Sequence, residues 1–135
     1  MENQQKPSKA MHVTLWIVQI ILAILLLMGA IMKFMPIEKI SAMMPWTGQI
    51  SPAIVRLLGF IDLLAAIGLI LPALLRIMPQ LTQWAAIGVV VLMICSIVFH
   101  ISRAEASVIG FNIFSALLAI FIAWGRFKKA PIVSK

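Results

Sequence analysis

Charged residues are scarce in this sequence. They occupy 11% of the 135 positions, whereas hydrophobic residues occupy 63%. Soluble domains carry about 25% charged residues, because their surfaces must be solvated by water. So few charges cannot cover a soluble domain of this size. The composition therefore excludes an ordinary water-soluble protein and favours one that is embedded in a membrane.

Cysteine is nearly absent. Cys95 is the single cysteine and lies inside an apolar run, so the chain can form neither an internal disulfide nor a CxxC redox pair. Any redox chemistry would need a group other than a dithiol of this chain. The sequence also lacks a Ser/Gly/Pro-rich or highly charged linker. We therefore expect a single domain over residues 1–135.

Long hydrophobic runs are what the sequence does contain. A helix rises 1.5 Å per residue, so about 20 apolar residues cross a hydrocarbon layer of about 30 Å. Membrane strands would be about half as long and would alternate in polarity. The expected class is an all-α integral membrane protein, a bundle of four transmembrane helices. The four predicted spans cover approximately residues 13–32, 53–71, 84–101 and 107–124.

The basic residues mostly flank these runs. The net charge is +7, and seven of the eleven Lys and Arg residues fall on the side of the two termini. The positive-inside rule then predicts a multi-pass protein of the cell membrane, here the inner membrane, with both termini in the cytoplasm. Basic residues beside membrane spans meet phospholipid headgroups, so we expect the lipid bilayer as a partner and no nucleic acid.

The connection between the first two spans, residues 33–52, is the longest one. Within it Ile37, Ile40 and Met43 recur at helical spacing beside the polar residues Glu38 and Lys39. This pattern predicts a short amphipathic helix on the outer membrane surface. An irregular loop bounded by prolines is the alternative.

Asp62 is the most informative polar residue, because it lies near the middle of the second predicted span. A carboxylate at that depth is costly unless it is paired, so it is a candidate for function. Gly59 and Ala66 lie beside it at helical spacing, and small residues let helices pack closely. Asp62 is therefore expected to point into the bundle.

Further polar residues fall in the outer half of the predicted bundle. We hypothesise that they converge with Asp62 into a polar pocket that opens outward, above inner helix halves that are apolar except for Gln19. The alternative is that the rim residues extend to headgroups while Asp62 and Asn112 only join helices. The candidate ligand-binding residues are Lys33, Arg56, Asp62, His100, Arg103, Glu105 and Asn112.

Motifs for metal binding and catalysis are missing. The sequence has no HxxxH or CxxC spacing, and it has no G-x-S-x-G nucleophile elbow. Ser96 and His100 are one helical turn apart, but nothing supplies an oxyanion hole. We therefore predict no metal ligand and no catalytic residue, and we favour a protein that is not itself an enzyme.

Several motifs, in this order and spacing, resemble the DoxX-like family of small four-helix membrane proteins. The resemblance covers about residues 15–127. Two positions depart from the family pattern: Asp62 stands where Glu is usual, and Ala104 stands where Gly is common. The carboxylate is kept at the first position, with a shorter reach. The matching segments are 29–34 (GAIMKF), 44–48 (MPWTG), 56–72 (RLLGFIDLLAAIGLILP), 81–88 (LTQWAAIG), 100–105 (HISRAE), Asn112 and 124–127 (WGRF).

The resemblance implies more about the fold than about the reaction. The wider family is similar to the membrane subunit of thiosulfate:quinone oxidoreductase, and some members are associated with thiol-redox complexes. It thus implies an accessory or ligand-binding subunit of quinone or thiol redox metabolism. A quinone is the candidate cofactor, and a redox protein or a second copy of the chain is a candidate partner. A small proton-coupled transporter using Asp62 and a membrane scaffold without its own activity are the alternatives.

Overall fold

The computed structural model describes residues 8–43, 45–102 and 109–133, and every regular element in these ranges is helical. The predicted all-α class is confirmed. The elements are helix α1 (Lys9–Lys33), helix α2 (Ile37–Met43), a 3₁₀ turn (Pro45–Gly48), helix α3 (Pro52–Leu75), helix α4 (Gln80–Ser102), helix α5 (Gly110–Trp124) and a π-helix (Gly125–Lys129).

Four helical segments are long and apolar enough to cross a membrane: α1, α3, α4, and α5 together with the π-helix. They correspond to the four predicted spans. α1 begins four residues before the first predicted span, in its polar flank, and α3 continues four residues past the second, through Pro72 to Leu75. The predicted beginning of the fourth span at residue 107 lies outside the described residues.

The four long helices form an up-and-down bundle. Helices that follow one another in sequence are neighbours, and α5 packs against α1 to close the ring. The beginning of α1 and the π-helix consequently lie at one end, called here the terminal side. The ends of α1 and α4 and the beginnings of α3 and α5 lie at the other end, called the loop side.

The centre of the bundle is filled by apolar side chains from all four long helices, among them Leu22, Leu69, Val89 and Ile122, each 0% exposed. The outer surface is apolar as well. Large residues such as Leu64, which is 62% exposed, point away from the bundle. This arrangement suits a bilayer, where lipid tails are as apolar as the protein core.

Pro72 interrupts the hydrogen bonding of α3. It has no N–H to donate to the carbonyl of Gly68, one turn earlier. Thr82 Oγ1 of α4 donates to that carbonyl at 3.2 Å, and Gln19 Nε2 of α1 donates to the adjacent Leu69 carbonyl at 2.7 Å. Neighbouring helices thus satisfy the backbone where the proline opens it, as the absence of water in a membrane requires.

Helix α2 confirms the predicted helix between the first two spans. Ile40 is fully buried, whereas Glu38 and Lys39 are exposed, so the helix is amphipathic. The connection leading into it is held by Arg56 of α3. Arg56 Nη1 donates to the carbonyls of Lys33 and Met35, the latter at 2.7 Å.

Candidate functional site

An ion pair joins α1 to α3 in the loop-side half of the bundle. Lys33 Nζ and Asp62 Oδ2 are 2.6 Å apart, and the two side chains are 15% and 6% exposed. Lys33 is the last residue of α1, and Asp62 lies ten residues into α3, about 15 Å along its axis. The long lysine side chain therefore reaches back into the bundle to meet the carboxylate.

Two glycines make room for this ion pair. A Cβ atom at Gly29 would lie 3.3 Å from Asp62 Oδ2 and 3.4 Å from Lys33 Nζ. A Cβ atom at Gly59 would lie 3.0 Å from the Cβ of Lys33 and 3.2 Å from Phe34. The contacts at Gly59 are tighter than most Cβ contacts, and a Cβ atom at Gly29 would lie directly against the charged atoms of the pair. The glycines thus allow α1 and α3 to approach closely around the pair.

Arg56 does not contact Asp62. Its guanidinium donates to the carbonyls of Lys33 and Met35, which lie at the end of α1 and just beyond it. Carbonyls at the end of a helix lack partners within that helix, and a basic side chain can supply them. The role that the structure gives Arg56 is therefore to cap α1.

The other predicted residues lie on α4 and α5. His100 and Asn112 are buried, at 7% and 8% exposed, and both lie near the loop-side ends of their helices. The ring of His100 makes an edge contact with Phe99, with centroids 5.3 Å apart. Arg103 and Glu105 lie outside the described residues.

The buried face of α5 carries polar groups that lack partners. Asn112 makes no side-chain hydrogen bond within the described ranges, and the Oγ of Ser115, one turn further along, is fully buried without one. α5 and α3 are the two neighbours of α1. Of the predicted site residues, the structure thus joins Lys33 to Asp62 and to Arg56, and it leaves Asn112 without a polar contact.

A second polar cluster lies in the terminal-side half, where the sequence predicted apolar helices with Gln19 as the exception. That prediction is wrong. Arg126 is 0% exposed, and its Nε donates to Gln19 Oε1 at 2.6 Å. Its Nη1 donates to the Ala130 carbonyl at 2.9 Å and lies 3.0 Å from His12 Nδ1, which must accept because a guanidinium only donates.

Local structure explains why Arg126 is buried. The π-helix begins at Gly125, directly after α5, and turns the next side chain toward α1. A Cβ atom at Gly125 would collide with the side chain of Leu15, so any other residue would require the buried Leu15 to shift. The guanidinium also lies 5.9 Å from the ring centroid of Trp16, where a cation is attracted to the π face.

The sequence contained one signal for this cluster. Gln19 is an amide in an apolar span and needs partners there, and Arg126 is one residue of a basic group after the last span. Basic residues in that position usually extend to the headgroups, so the sequence pattern gives no reason to place Arg126 inside the bundle. No carboxylate contacts Arg126 among the residues that the structure describes, and its Nη2 has no hydrogen-bond partner.

Metal ligands do not cluster in residues 8–43, 45–102 and 109–133: no group of three His, Cys, Asp or Glu side chains is placed to hold an ion. Four membrane-length helices with buried polar contacts between them define a small multi-pass membrane protein.

The chain belongs to the DoxX-like family, whose sequence profile matches residues 17–122. The match includes Lys33, Asp62 and Asn112, and it ends before Arg126. Comparison with curated proteins and with solved structures gives no match.

Proposed function

We propose that this DoxX-like protein is an accessory, ligand-binding subunit of quinone or thiol redox metabolism, with its ligand in the loop-side half of the bundle, around Asp62. The observation that carries the proposal is the unequal pairing of buried polar groups there. Lys33 and Asp62 satisfy each other. On α5, the other neighbour of α1, the buried Ser115 hydroxyl has no protein partner, and the side chain of Asn112 makes no hydrogen bond among the described residues.

Unpaired buried polar groups favour a ligand that can pair with them. Leaving such a group without a hydrogen bond costs about 1–3 kcal/mol, which a suitable ligand would recover. A quinone headgroup carries carbonyl oxygens that accept hydrogen bonds. The Asn112 amide, the Ser115 hydroxyl and the Lys33 ammonium all donate them. Asp62 accepts hydrogen bonds, which suits the hydroxyl groups of the reduced quinol.

The electrons must come from elsewhere. Cys95 is the single cysteine and no dithiol can form, so a partner protein would deliver or remove electrons while this chain holds the ligand. The excess of Lys and Arg on the terminal side supports an orientation with both termini in the cytoplasm. In that orientation the ligand site lies in the outer half of the membrane.

Proton-coupled cation exchange is the second candidate. It would use Asp62 as the carrier of the exchanged ion, but Lys33 already neutralises this carboxylate at 2.6 Å. A transported cation would have to displace a tethered ammonium group. The ion pair therefore favours ligand binding over exchange.

The test measures the binding of a short-chain ubiquinone analogue to the purified protein in detergent. Binding is monitored through quenching of the protein's tryptophan fluorescence. We expect saturable binding to the native chain. Asn112→Leu and Ser115→Ala should each weaken it about tenfold, the effect of about 1.4 kcal/mol. Glu38→Gln, at an exposed acid of α2, is the control and should bind as the native chain does.

Absence of saturable binding to a folded native chain would refute the quinone proposal. Proton-driven cation flux in proteoliposomes, abolished by Asp62→Asn, would instead establish the transporter. Equal quinone binding by the native chain and by Asn112→Leu would show that the binding site does not include this residue of α5.

A further inference from the structure

A groove runs along the outer surface of the bundle between α4 and α5. Its volume is about 560 Å³, and its walls are formed by apolar side chains that include Val90, Val91 and Ile120. Along α5 and the π-helix it extends from Ile120 to Lys128, eight steps of the chain or about 12 Å at the rise of an α-helix. It begins at the terminal side and runs toward the middle of the bundle. Its shape and lining suit part of a lipid acyl chain.

The terminal-side end of the groove is aromatic and basic. Trp124, Phe127 and Lys128 line it, and Lys129 Nζ lies 5.5 Å from the ring centroid of Trp124. Both lysines are exposed. Tryptophan and lysine at a span end lie at the level of the phospholipid headgroups. The acyl groove therefore opens where a headgroup would meet two positive charges.

No acidic residue among those described balances these charges. The described acids are Glu38 and Asp62, which lie on α2 and in the loop-side half of α3. Arg126, next to Phe127, points into the bundle and donates hydrogen bonds to Gln19 and to the Ala130 carbonyl. The positive charge at the end of the groove is thus available to an anion from the membrane.

A second groove on the bundle provides a comparison for the first. This groove, of about 350 Å³, lies between α1 and α3, with a lining that includes Ile20, Leu27 and Leu63 and holds no charged residue. Such a groove offers apolar contact to any lipid tail. Of these two grooves, the one between α4 and α5 joins an apolar channel to basic side chains.

We propose that the α4–α5 groove binds one anionic phospholipid, with an acyl chain against Val91 and Ile120 and the phosphate group against Lys128 and Lys129. Zwitterionic phospholipids carry a compensating ammonium group and lose most of this attraction. A lysine near an anionic lipid surface contributes about 1 kcal/mol, which corresponds to about fivefold in affinity. Two lysines should therefore give a preference of more than tenfold.

Native mass spectrometry of the full chain in detergent, with phosphatidylglycerol or phosphatidylcholine added at equal concentration, tests this proposal. We expect one phosphatidylglycerol molecule per chain and at least tenfold weaker retention of phosphatidylcholine. The double variant Lys128→Gln/Lys129→Gln should abolish the preference. Lys39→Gln, at an exposed lysine of α2, should leave it unchanged.

A second pair of variants tests the groove itself. Val91→Trp fills the groove from its wall, and Val98→Trp adds the same side chain on α4 away from the lining residues. Both valines face outward, at 56% and 61% exposed, so both variants should fold. Val91→Trp should weaken phosphatidylglycerol binding about tenfold, and Val98→Trp should not.

Three results would overturn the proposal. The first is equal retention of the two lipids, and the second is an unchanged preference in the double lysine variant. The third is phosphatidylglycerol binding that survives Val91→Trp, which would mean headgroup attraction without a groove site. None of these outcomes bears on quinone binding, which involves the opposite half of the bundle.

Discussion

Arg126 Nε donates to Gln19 Oε1 across 2.6 Å, and this hydrogen bond joins residues 107 positions apart in sequence. Gln19 in turn donates to the Leu69 carbonyl at 2.7 Å. One amide thus links three of the four spans: α1, which carries it, α3 and the extension of α5. A charged donor in apolar surroundings depends strongly on its acceptor.

Gln19→Leu should therefore destabilise the protein by about 2–3 kcal/mol, because it leaves the Arg126 guanidinium with an unmet donor. Gln19→Glu keeps an acceptor for Arg126 and adds an opposite charge, but it loses the donor to the Leu69 carbonyl, so it should be less destabilising than Gln19→Leu. The measurement is the free energy of unfolding by sodium dodecyl sulfate in mixed micelles. Gln49→Leu, at an exposed glutamine, is the control. A loss of less than 0.5 kcal/mol in Gln19→Leu would contradict this expectation.

The Lys33 and Asp62 pair should behave as a coupled unit. Lys33→Met and Asp62→Asn should each destabilise the protein, because each leaves a buried partner unmatched. The double variant should lose less than the sum, with a coupling energy of about 1–3 kcal/mol. The same unfolding measurement on all four proteins gives this value. Additive losses would show that the 2.6 Å contact does not contribute to stability.

Thr82 and Pro72 should be coupled through the Gly68 carbonyl. Thr82→Val removes the hydroxyl that bonds this carbonyl at 3.2 Å, and should cost about 1 kcal/mol. Pro72→Ala restores a backbone N–H that can bond the same carbonyl. Thr82→Val should therefore cost less in the Pro72→Ala background. The double-mutant cycle is measured from the free energies of unfolding. An equal loss of stability in both backgrounds would show that the two residues are not coupled.

Gly68 should be intolerant of a side chain where Gly88 is tolerant. A Cβ atom at Gly68 would lie 2.9 Å from the Cβ of Ala85, whereas one at Gly88 would meet nothing within 4 Å. Gly68→Ala should push α3 from α4 and cost about 1–3 kcal/mol. Gly88→Ala should be neutral or slightly stabilising, because alanine favours the helix.

Ala85→Gly tests the cause of the Gly68 effect. It removes the atom that the new methyl group would strike, so it should restore most of the stability lost in Gly68→Ala. Thermal unfolding in detergent, followed by circular dichroism, compares the variants. Failure of Ala85→Gly to rescue would place the strain elsewhere than between these two residues.

Hydropathy patterns alone predicted the four spans and the short helix between the first and second spans. Each is a property of a contiguous segment: apolar residues long enough to cross the bilayer, or alternating faces over two turns. The pairing of polar residues is different. The sequence predicts that Lys33 and Asp62 lie in one polar region, but the direct ion pair between them is visible only in the tertiary structure. The capping of α1 by Arg56 is likewise a contact that the sequence pattern does not indicate.

The sequence by itself determined that this chain is a four-span membrane protein, because the cost of exposing 63% hydrophobic residues to water leaves no other solution. It also determined that Asp62 lies in a span. The tertiary structure decided which side chains meet. Pairing depends on the rotation of each helix about its axis and on local geometry such as the π-helix at Gly125, which buries Arg126 against Gln19. The pattern of residues within one span does not show how that helix is rotated relative to the other helices.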